Sequence, residues 1–217
     1  GAFSGLAFSV VSVFQALWLI PYLEHIHEME TQEATRISSM LYLGIGLACP
    51  FVGYATNKIR VMSLIRAGLY LCILWLTILL SSRGMSALNL SILLFALGFS
   101  CSIYQLGFVY VTREAPEALK SIASAAANMV MMVTGAILQL VTGCAISWLR
   151  EAQLIANHHD YLGFCFQVCL CIIPLGIVAA LGLTYLVKDD EGISLEKWTS
   201  TKLQQLLKPR PARSNER

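Results

Sequence analysis

Charged residues are scarce in this sequence. They make up 13% of its 217 residues, whereas hydrophobic residues make up 57% and the mean hydropathy is +0.67. A soluble domain carries roughly a quarter charged residues, so this chain has about half the usual share. Too few polar residues are present to cover so apolar a chain in water. The composition therefore predicts a lipid bilayer as the solvent, and it excludes a disordered chain or a coiled coil.

An excess of charge of one sign is also missing, because the formal net charge is only +2. We therefore expect no nucleic acid as a partner. The seven cysteines form no Cys-x-x-Cys pair, and their odd number excludes a complete set of disulfides. We interpret them as small buried apolar side chains, and we expect neither a metal site nor a cofactor.

Apolar runs long enough to span a bilayer occur six times between residues 1 and 187. The sequence therefore predicts an all-α membrane protein, a bundle of six transmembrane helices followed by a polar cytoplasmic tail at residues 188–217. The predicted spans are Phe3–Leu23, Ile37–Thr56, Val61–Leu80, Leu88–Thr112, Ile122–Leu149 and Tyr161–Val187.

Lys and Arg residues are unevenly divided between the two ends of the predicted spans. One side holds twelve and the other three, and seven of the twelve lie in the tail. The positive-inside rule places the richer side in the cytoplasm, and an even number of spans then puts both termini there. We expect an integral, multi-pass protein, with a bacterial inner membrane as its location.

Ionisable residues are nearly absent from the predicted spans, and Arg66, near one end of the third, is the exception. The remaining polar groups at depth include amides and aromatic side chains. An amide facing lipid would leave its polar atoms without partners, so these side chains should point inward, either into a polar cavity or to hydrogen bonds between helices. The residues predicted to bind a substrate are Gln15, Trp18, Tyr22, Tyr104, Gln105 and Asn128.

The second predicted span contains residues that loosen a helix, namely Gly44, Gly46, Pro50 and Gly53. Pro50 removes one backbone hydrogen bond, so we expect a bend near Gly46. A hinge is the functional interpretation of this bend. A static kink that improves packing is the alternative.

Three stretches resemble the C-terminal six-helix half of the major facilitator superfamily. The stretch Phe14–Tyr22 looks like the seventh helix of such carriers. The stretch Gly53–Arg60 is similar to the family's cytoplasmic loop motif, with Asn57 in place of an Asp and Arg60 in place of a Gly. The stretch Arg113–Glu117, followed by Ser121–Asn128 and Gly135–Gly143, is similar to the family's acidic-Pro loop between the tenth and eleventh helices. The order and spacing of these stretches agree with six spans.

The resemblance implies alternating access, in which two six-helix bundles rock about a site at the membrane midplane. The first and fourth helices of this bundle would line the cavity, and the second and fifth would gate its ends. The substrate would be a small organic solute. The residues assigned to gating are Gly44, Gly46, Pro50, Gly53, Lys58 and Arg60.

The sequence begins with Gly1, and its first predicted span starts almost at once. We interpret the chain as a fragment that needs an N-terminal six-helix half or a second copy for transport. Its other expected partners are the lipid bilayer and the small-molecule solute.

Two other classes of function have weaker support. An intramembrane serine protease needs Gly-x-Ser-Gly and a membrane His, but the stretch Gly98–Cys101 lacks the final Gly and no His lies in a predicted span. We therefore expect no enzyme. A metal-binding or sensory role would depend on four histidines of the outer loops, and the simpler interpretation is that they are solvated loop residues. These histidines are His25, His27, His158 and His159.

Overall fold

A computed structural model describes residues 2–154 and 170–186 of the chain. All secondary structure in these residues is helical, and they contain no strand. Five of the helices are long and apolar enough to cross a membrane, and a further apolar helix is shorter. The expectation of an all-α chain whose apolar helices fit an integral membrane protein is confirmed.

The helices are numbered here in chain order. The first five are Phe3–Ile26, Thr31–Lys58, Val61–Ser81, Ala87–Arg113 and Glu117–Trp148, and the sixth is Ile172–Leu186. The start of the predicted sixth span at Tyr161 and the predicted tail at residues 188–217 lie outside the described residues.

Two of the helices extend well beyond the predicted spans. The second begins at Thr31, six residues before the predicted start at Ile37. The fifth continues in α geometry from Lys120 to Leu154, past the predicted end at Leu149. The prediction followed the apolar run, but a helix ends where its backbone hydrogen bonds end, so polar turns can extend past the hydrocarbon.

The first and fourth helices form the centre of the bundle. In each of them 56% of the most apolar stretch is buried, against 33% in the second, 39% in the third and 17% in the fifth. The first helix packs against the fifth and sixth, and the fourth packs against the second and third. The two central helices also touch each other, as do the third and the sixth.

These pairings form a repeat of three helices. The fourth helix packs against the second and third in the way that the first packs against the fifth and sixth. Replacing each helix by the one three places away in order therefore reproduces these contacts. The packing of the first three helices is therefore repeated by that of the last three. Successive membrane helices alternate in direction, so helices three apart in order run opposite ways.

Glycines allow close contacts between the first and fifth helices and between the second and fourth. A Cβ added to Gly5 of the first helix would lie 2.8 Å from the Cβ of Thr134 in the fifth. A Cβ added to Gly98 of the fourth helix would meet the backbone carbonyl of Leu41 in the second.

The partner helices supply a glycine of their own at each of these contacts. A Cβ on Gly135 of the fifth helix would lie 3.0 Å from the hydroxyl oxygen of Ser12 in the first. A Cβ on Gly44 of the second helix would meet the carbonyl oxygen of Phe95 in the fourth. Both pairs of helices approach closely because small residues lie on both sides of the contact.

Candidate functional site in the two central helices

The first helix departs from α geometry in its middle. Residues Ala2–Ser9 and Leu19–Ile26 are α-helical, whereas Val10–Trp18 form a π-helix, called the π segment below. Helices of this type are rare and are frequent at functional sites. The π segment contains Gln15 and Trp18, so two of the predicted substrate-binding residues lie on the wider helix.

Local hydrogen bonds explain why the backbone widens here. The hydroxyl of Ser9 donates to the carbonyl of Leu6 at 2.6 Å, and the hydroxyl of Ser12 donates to the carbonyl of Phe8 at 3.2 Å. Serine hydroxyls that bond to carbonyls three or four residues back compete with the regular backbone ladder and bend helices. Both bonds lie at the start of the π segment.

Gln15 is buried, with 7% of its side chain exposed. Its Nε2 donates to the backbone carbonyl of Ser38 in the second helix at 3.1 Å. Its Oε1 is buried and accepts no hydrogen bond from the described residues. A buried polar atom left in this state costs about 1–3 kcal/mol, so it calls for a reason beyond packing.

Tyr22 is fully buried and its hydroxyl donates to the carbonyl of Leu79 in the third helix at 2.7 Å. Its ring packs edge-on against Phe14, with ring centroids 6.1 Å apart. The side chain therefore joins the first helix to the third. Trp18, half-buried, packs on the apolar core beside the π segment.

The fourth helix is also irregular near its middle, where Ser102–Gln105 form a turn of 3-10 helix between two α-helical parts. This turn holds the two predicted residues of the fourth helix. The ring of Tyr104 lies 5.1 Å from that of Phe8 in the first helix. The Nε2 of Gln105 donates to the Sγ of Cys49 in the second helix at 3.4 Å.

Each of the two central helices contacts a neighbouring helix through a glutamine at its irregular part. Gln139 of the fifth helix donates from Nε2 to the carbonyl of Ser12 in the π segment at 2.6 Å, and Gln105 of the fourth helix donates to Cys49 of the second.

Sequence reasoning did not select Ser12, Ser38, Cys49 or Gln139 as members of the site. A signal was present for the first of these, since Ser9, Ser12 and Gln15 follow one another at steps of three residues in an apolar run. The others take part through contacts between helices, which spacing along one helix does not encode.

Asn128, the predicted member on the fifth helix, is exposed. It precedes Gln139 by three turns, about 16 Å along the helix axis. The structure thus brings Gln15, Trp18, Tyr104 and Gln105 into the irregular middle parts of the central helices and places Asn128 on the outside of the bundle.

The predicted gating residues fall into different environments. Gly44 is buried against the fourth helix, whereas a Cβ on Gly46 or Gly53 would meet nothing within 4 Å. The helix continues through Pro50, which is exposed. Two further predicted gating residues lie at the end of this helix. The Nζ of Lys58 lies 4.9 Å from the centre of the Tyr54 ring, and Arg60 immediately precedes the third helix.

The histidines of the outer loops are not brought together where they are described. His27 is buried and its Nδ1 accepts a hydrogen bond from the backbone N–H of Met85 at 3.3 Å, whereas His25 is exposed. Burial lowers the pKa of His27. His158 and His159 lie outside the described residues, and residues 2–154 and 170–186 hold no group of three or more side chains suited to a metal ion.

The site carries amides, aromatic rings and a thiol. Gln15, Trp18, Tyr104, Gln105 and Cys49 bear no fixed charge, so the arrangement suits hydrogen bonding and stacking instead of ion pairing. No protein-family model matches this chain, and the search of curated proteins gave no match.

Proposed function

We propose that this chain is one six-helix half of an alternating-access transporter for a small organic solute, of the type that its resemblance to the major facilitator superfamily implies. One observation carries the proposal. The two central helices occupy equivalent places in a repeat of three helices, which we take as the inverted repeat of such transporters, and each loses α geometry along part of its length. Secondary transporters bind their substrates where irregular helices meet at the interface of such repeats.

The buried polar atoms support a binding role for this region. The Oε1 of Gln15 is ready to accept a hydrogen bond from a solute. The amide of Gln105 contacts the thiol of Cys49, and a sulfur atom is a weak hydrogen-bonding group. Trp18 and Tyr104 offer ring faces beside these amides. We infer a neutral substrate that donates hydrogen bonds, because no cation or carboxylate lies among these residues.

The second and fifth helices are the two least buried of the five long helices, at 33% and 17%, which supports the need for a second bundle. The two helices are equivalents in the inverted repeat, and each exposes a row of large apolar side chains. On the second these are Tyr42, Leu43, Leu47, Phe51 and Tyr54, and on the fifth they are Met129, Met132, Val133, Ile137 and Leu140. An N-terminal half or a second copy that covers both rows would enclose the site from the other side.

Thiol labelling of Cys49 tests whether water and solute reach the site. Cys49 is exposed beside Gln105, whereas Cys72 and Cys101 are buried. We expect a membrane-impermeant thiol reagent to modify Cys49 in reconstituted vesicles, and a solute found by thermal-shift screening to slow the reaction. The Cys49→Ser variant measures the background. Labelling that is absent, or that every hydrophilic solute leaves unchanged, would contradict a solute-accessible site.

Amide substitutions test which residues bind the solute. Gln15→Ala and Gln105→Ala each remove hydrogen-bonding atoms worth about 0.5–1.5 kcal/mol, so solute affinity should fall about 2–10-fold. Asn57→Ala removes an exposed amide at the end of the second helix and should leave affinity unchanged. Equal affinity in both Gln variants would remove them from the site. Saturable uptake by this chain alone in liposomes, as a monomer, would contradict the need for a second bundle.

A further inference from the structure

One side-chain contact links the end of the first helix to the loop between the third and fourth helices. His27 directly follows the first helix, and its Nδ1 accepts a hydrogen bond from the backbone N–H of Met85 at 3.3 Å. We propose that this contact is a pH-sensitive switch, which holds the loop of residues 82–86 against the first helix and releases it when Nδ1 takes up a proton from water. The proposal does not depend on the proposed function, because neither segment contains a residue of the solute site.

The hydrogen bond determines where the proton of the neutral imidazole lies. A ring nitrogen that accepts a hydrogen bond carries no proton, so the proton of the neutral ring is on Nε2. A proton added to Nδ1 would face the N–H of Met85, and two donors cannot bond to each other. Protonation of His27 therefore breaks the link between the two segments.

The surroundings of His27 disfavour a positive charge. The residue is 9% exposed, and its Nε2 is buried without a hydrogen-bond partner among the described residues. The ring of Tyr22 lies edge-on against it, with ring centroids 5.7 Å apart. Burial lowers the pKa of His27. A buried charge without a partner is costly, so the imidazolium is more stable in water than in its closed position.

Neighbouring charges do not pair with His27. The ionisable groups near it along residues 24–33 and 82–86 are Glu24, His25, Glu28, Glu30, Glu33 and Arg83. His27 forms no hydrogen bond or ion pair with any of these described side chains. Arg83 shares the loop with Met85, and its charge has the same sign as that of an imidazolium. Proton uptake therefore favours the released loop.

The backbone next to His27 is strained while the contact is closed. Glu28 has a φ of 53°, in the left-handed region that residues other than glycine rarely adopt. Such a conformation persists only where the surrounding contacts hold it. Release of the loop removes one of these contacts and lets Glu28 relax, so the backbone assists the opening.

Other contacts restrict the opening to the loop. The hydroxyl of Tyr22 donates to the carbonyl of Leu79 in the third helix, and this bond does not involve His27. The first and third helices therefore stay joined when the loop is released. We expect residues 82–86 to move away from the first helix while the bundle keeps its packing.

Hydrogen exchange at the Met85 amide measures the switch directly. The purified chain in detergent is transferred to deuterated buffers between pH 5 and pH 7.5. Exchange at single residues is read by mass spectrometry, and each rate is corrected for the intrinsic rate at that pH. We expect the protection of Met85 to fall by about tenfold from pH 7.5 to pH 5, with most of the loss below about pH 6.5. The buried amide of Leu94, inside the fourth helix, should keep its protection.

Variants assign the effect to one side chain. His27→Asn places an amide oxygen near the position of Nδ1 and takes up no proton, so the protection of Met85 should be the same at both pH values. His25→Asn, at an exposed histidine, should lose protection at low pH as the wild type does. A pH dependence that survives in His27→Asn would overturn the proposal.

The wild-type protein also decides without a variant. Protection of Met85 that is unchanged between pH 5 and pH 7.5 would contradict the switch, and so would an equal loss at Leu94, because that loss would report unfolding of the bundle. If His27→Asn does not fold, His27→Gln takes its place, since its side-chain amide also accepts a hydrogen bond and cannot be protonated.

Discussion

Two buried polar side chains of the first helix donate hydrogen bonds to backbone carbonyl groups of neighbouring helices. Gln15 reaches the carbonyl of Ser38, and Tyr22 reaches that of Leu79. Hydrogen bonds between membrane helices contribute modestly to stability, because the unfolded chain in the membrane also finds partners. The two residues differ in one respect, since the hydroxyl of Tyr22 is used whereas the Oε1 of Gln15 accepts no bond from the described residues. This difference makes Gln15 the stronger candidate for solute contact.

Removing the hydroxyl of Tyr22 should therefore destabilise the fold. The Tyr22→Phe variant keeps the buried ring and loses one hydrogen bond, so we expect the free energy of unfolding to fall by about 1 kcal/mol. Thermal unfolding in detergent measures the change. Tyr42→Phe, at a tyrosine that is 51% exposed, is the matched control. A stability change of the same size in the control would show that the bond to Leu79 contributes nothing specific.

His27 should make stability depend on pH. Burial holds its pKa below the usual 6.5, and its Nδ1 must stay unprotonated to accept from Met85. The unfolded chain therefore binds the proton more readily than the folded one. Stability should be complete above about pH 6.5 and should decrease as the pH falls from there toward the lowered pKa of the folded state.

Midpoints of thermal unfolding between pH 5 and pH 8 test this expectation. The His27→Asn variant offers an amide oxygen to the N–H of Met85 and cannot take up a proton, so its midpoint should lose most of the pH dependence. His25→Asn, at an exposed histidine, should keep it. The same slope in His27→Asn as in the wild type would assign the dependence to another group.

The contact between the second and fourth helices depends on glycine at two places. A Cβ on Gly44 or Gly98 would meet backbone carbonyl oxygens of the facing helix, which cannot rotate away as a side chain can. The first and fifth helices meet through Gly5 and Gly135, where the neighbours are side chains. Close approach therefore constrains the sequence more tightly between the second and fourth helices than between the first and fifth.

Substitution of Gly44 and substitution of Gly46 by alanine should change the stability of the bundle in opposite directions. Gly44→Ala should destabilise the bundle by about 1–3 kcal/mol, because the helices must separate. Gly46→Ala lies on the same helix with nothing within 4 Å and should stabilise it by about 0.5–1 kcal/mol through helix propensity. Unfolding by denaturant in mixed micelles compares the two. Equal effects would show that the close contact does not limit packing.

The bundle as a whole determines which loops share a side of the membrane. The third helix is 21 residues long, about 31 Å, which matches the hydrocarbon thickness. Asn57 and Ser86 flank this helix and are both exposed. They should therefore lie on opposite sides, with the lysine-rich and arginine-rich side, that of Asn57, in the cytoplasm.

Single reporter cysteines test this sidedness. Asn57→Cys and Ser86→Cys are each made in a chain whose native cysteines are replaced by serine. In intact cells an impermeant maleimide should label Ser86→Cys, and it should label Asn57→Cys only after permeabilisation. Labelling of both from one side would show that the third helix does not cross the membrane. Labelling of Asn57→Cys alone in intact cells would reverse the orientation.

The sequence was sufficient to predict where helices form but not how the first one is wound. A regular helix of 3.6 residues per turn would place Gln15, Trp18 and Tyr22 on one face. Gln15 and Trp18 lie in the π segment, which breaks that periodicity, and Tyr22 follows it in α geometry. The bonds that accompany the π segment include one from Gln139 of the fifth helix to Ser12. A contact over 127 residues is invisible to a pattern read along one helix.

The amino-acid sequence by itself determined the solvent and the kind of element. In lipid a chain is restricted to structures that satisfy every backbone polar group internally, and apolar runs of about 20 residues with few charges satisfy these groups as helices. The tertiary structure alone decided which helices are central, which glycines contact the backbone of a neighbouring helix, and which buried amide keeps an oxygen that accepts no hydrogen bond from the described residues. These depend on contacts between residues far apart in the chain, whose geometry no local pattern encodes.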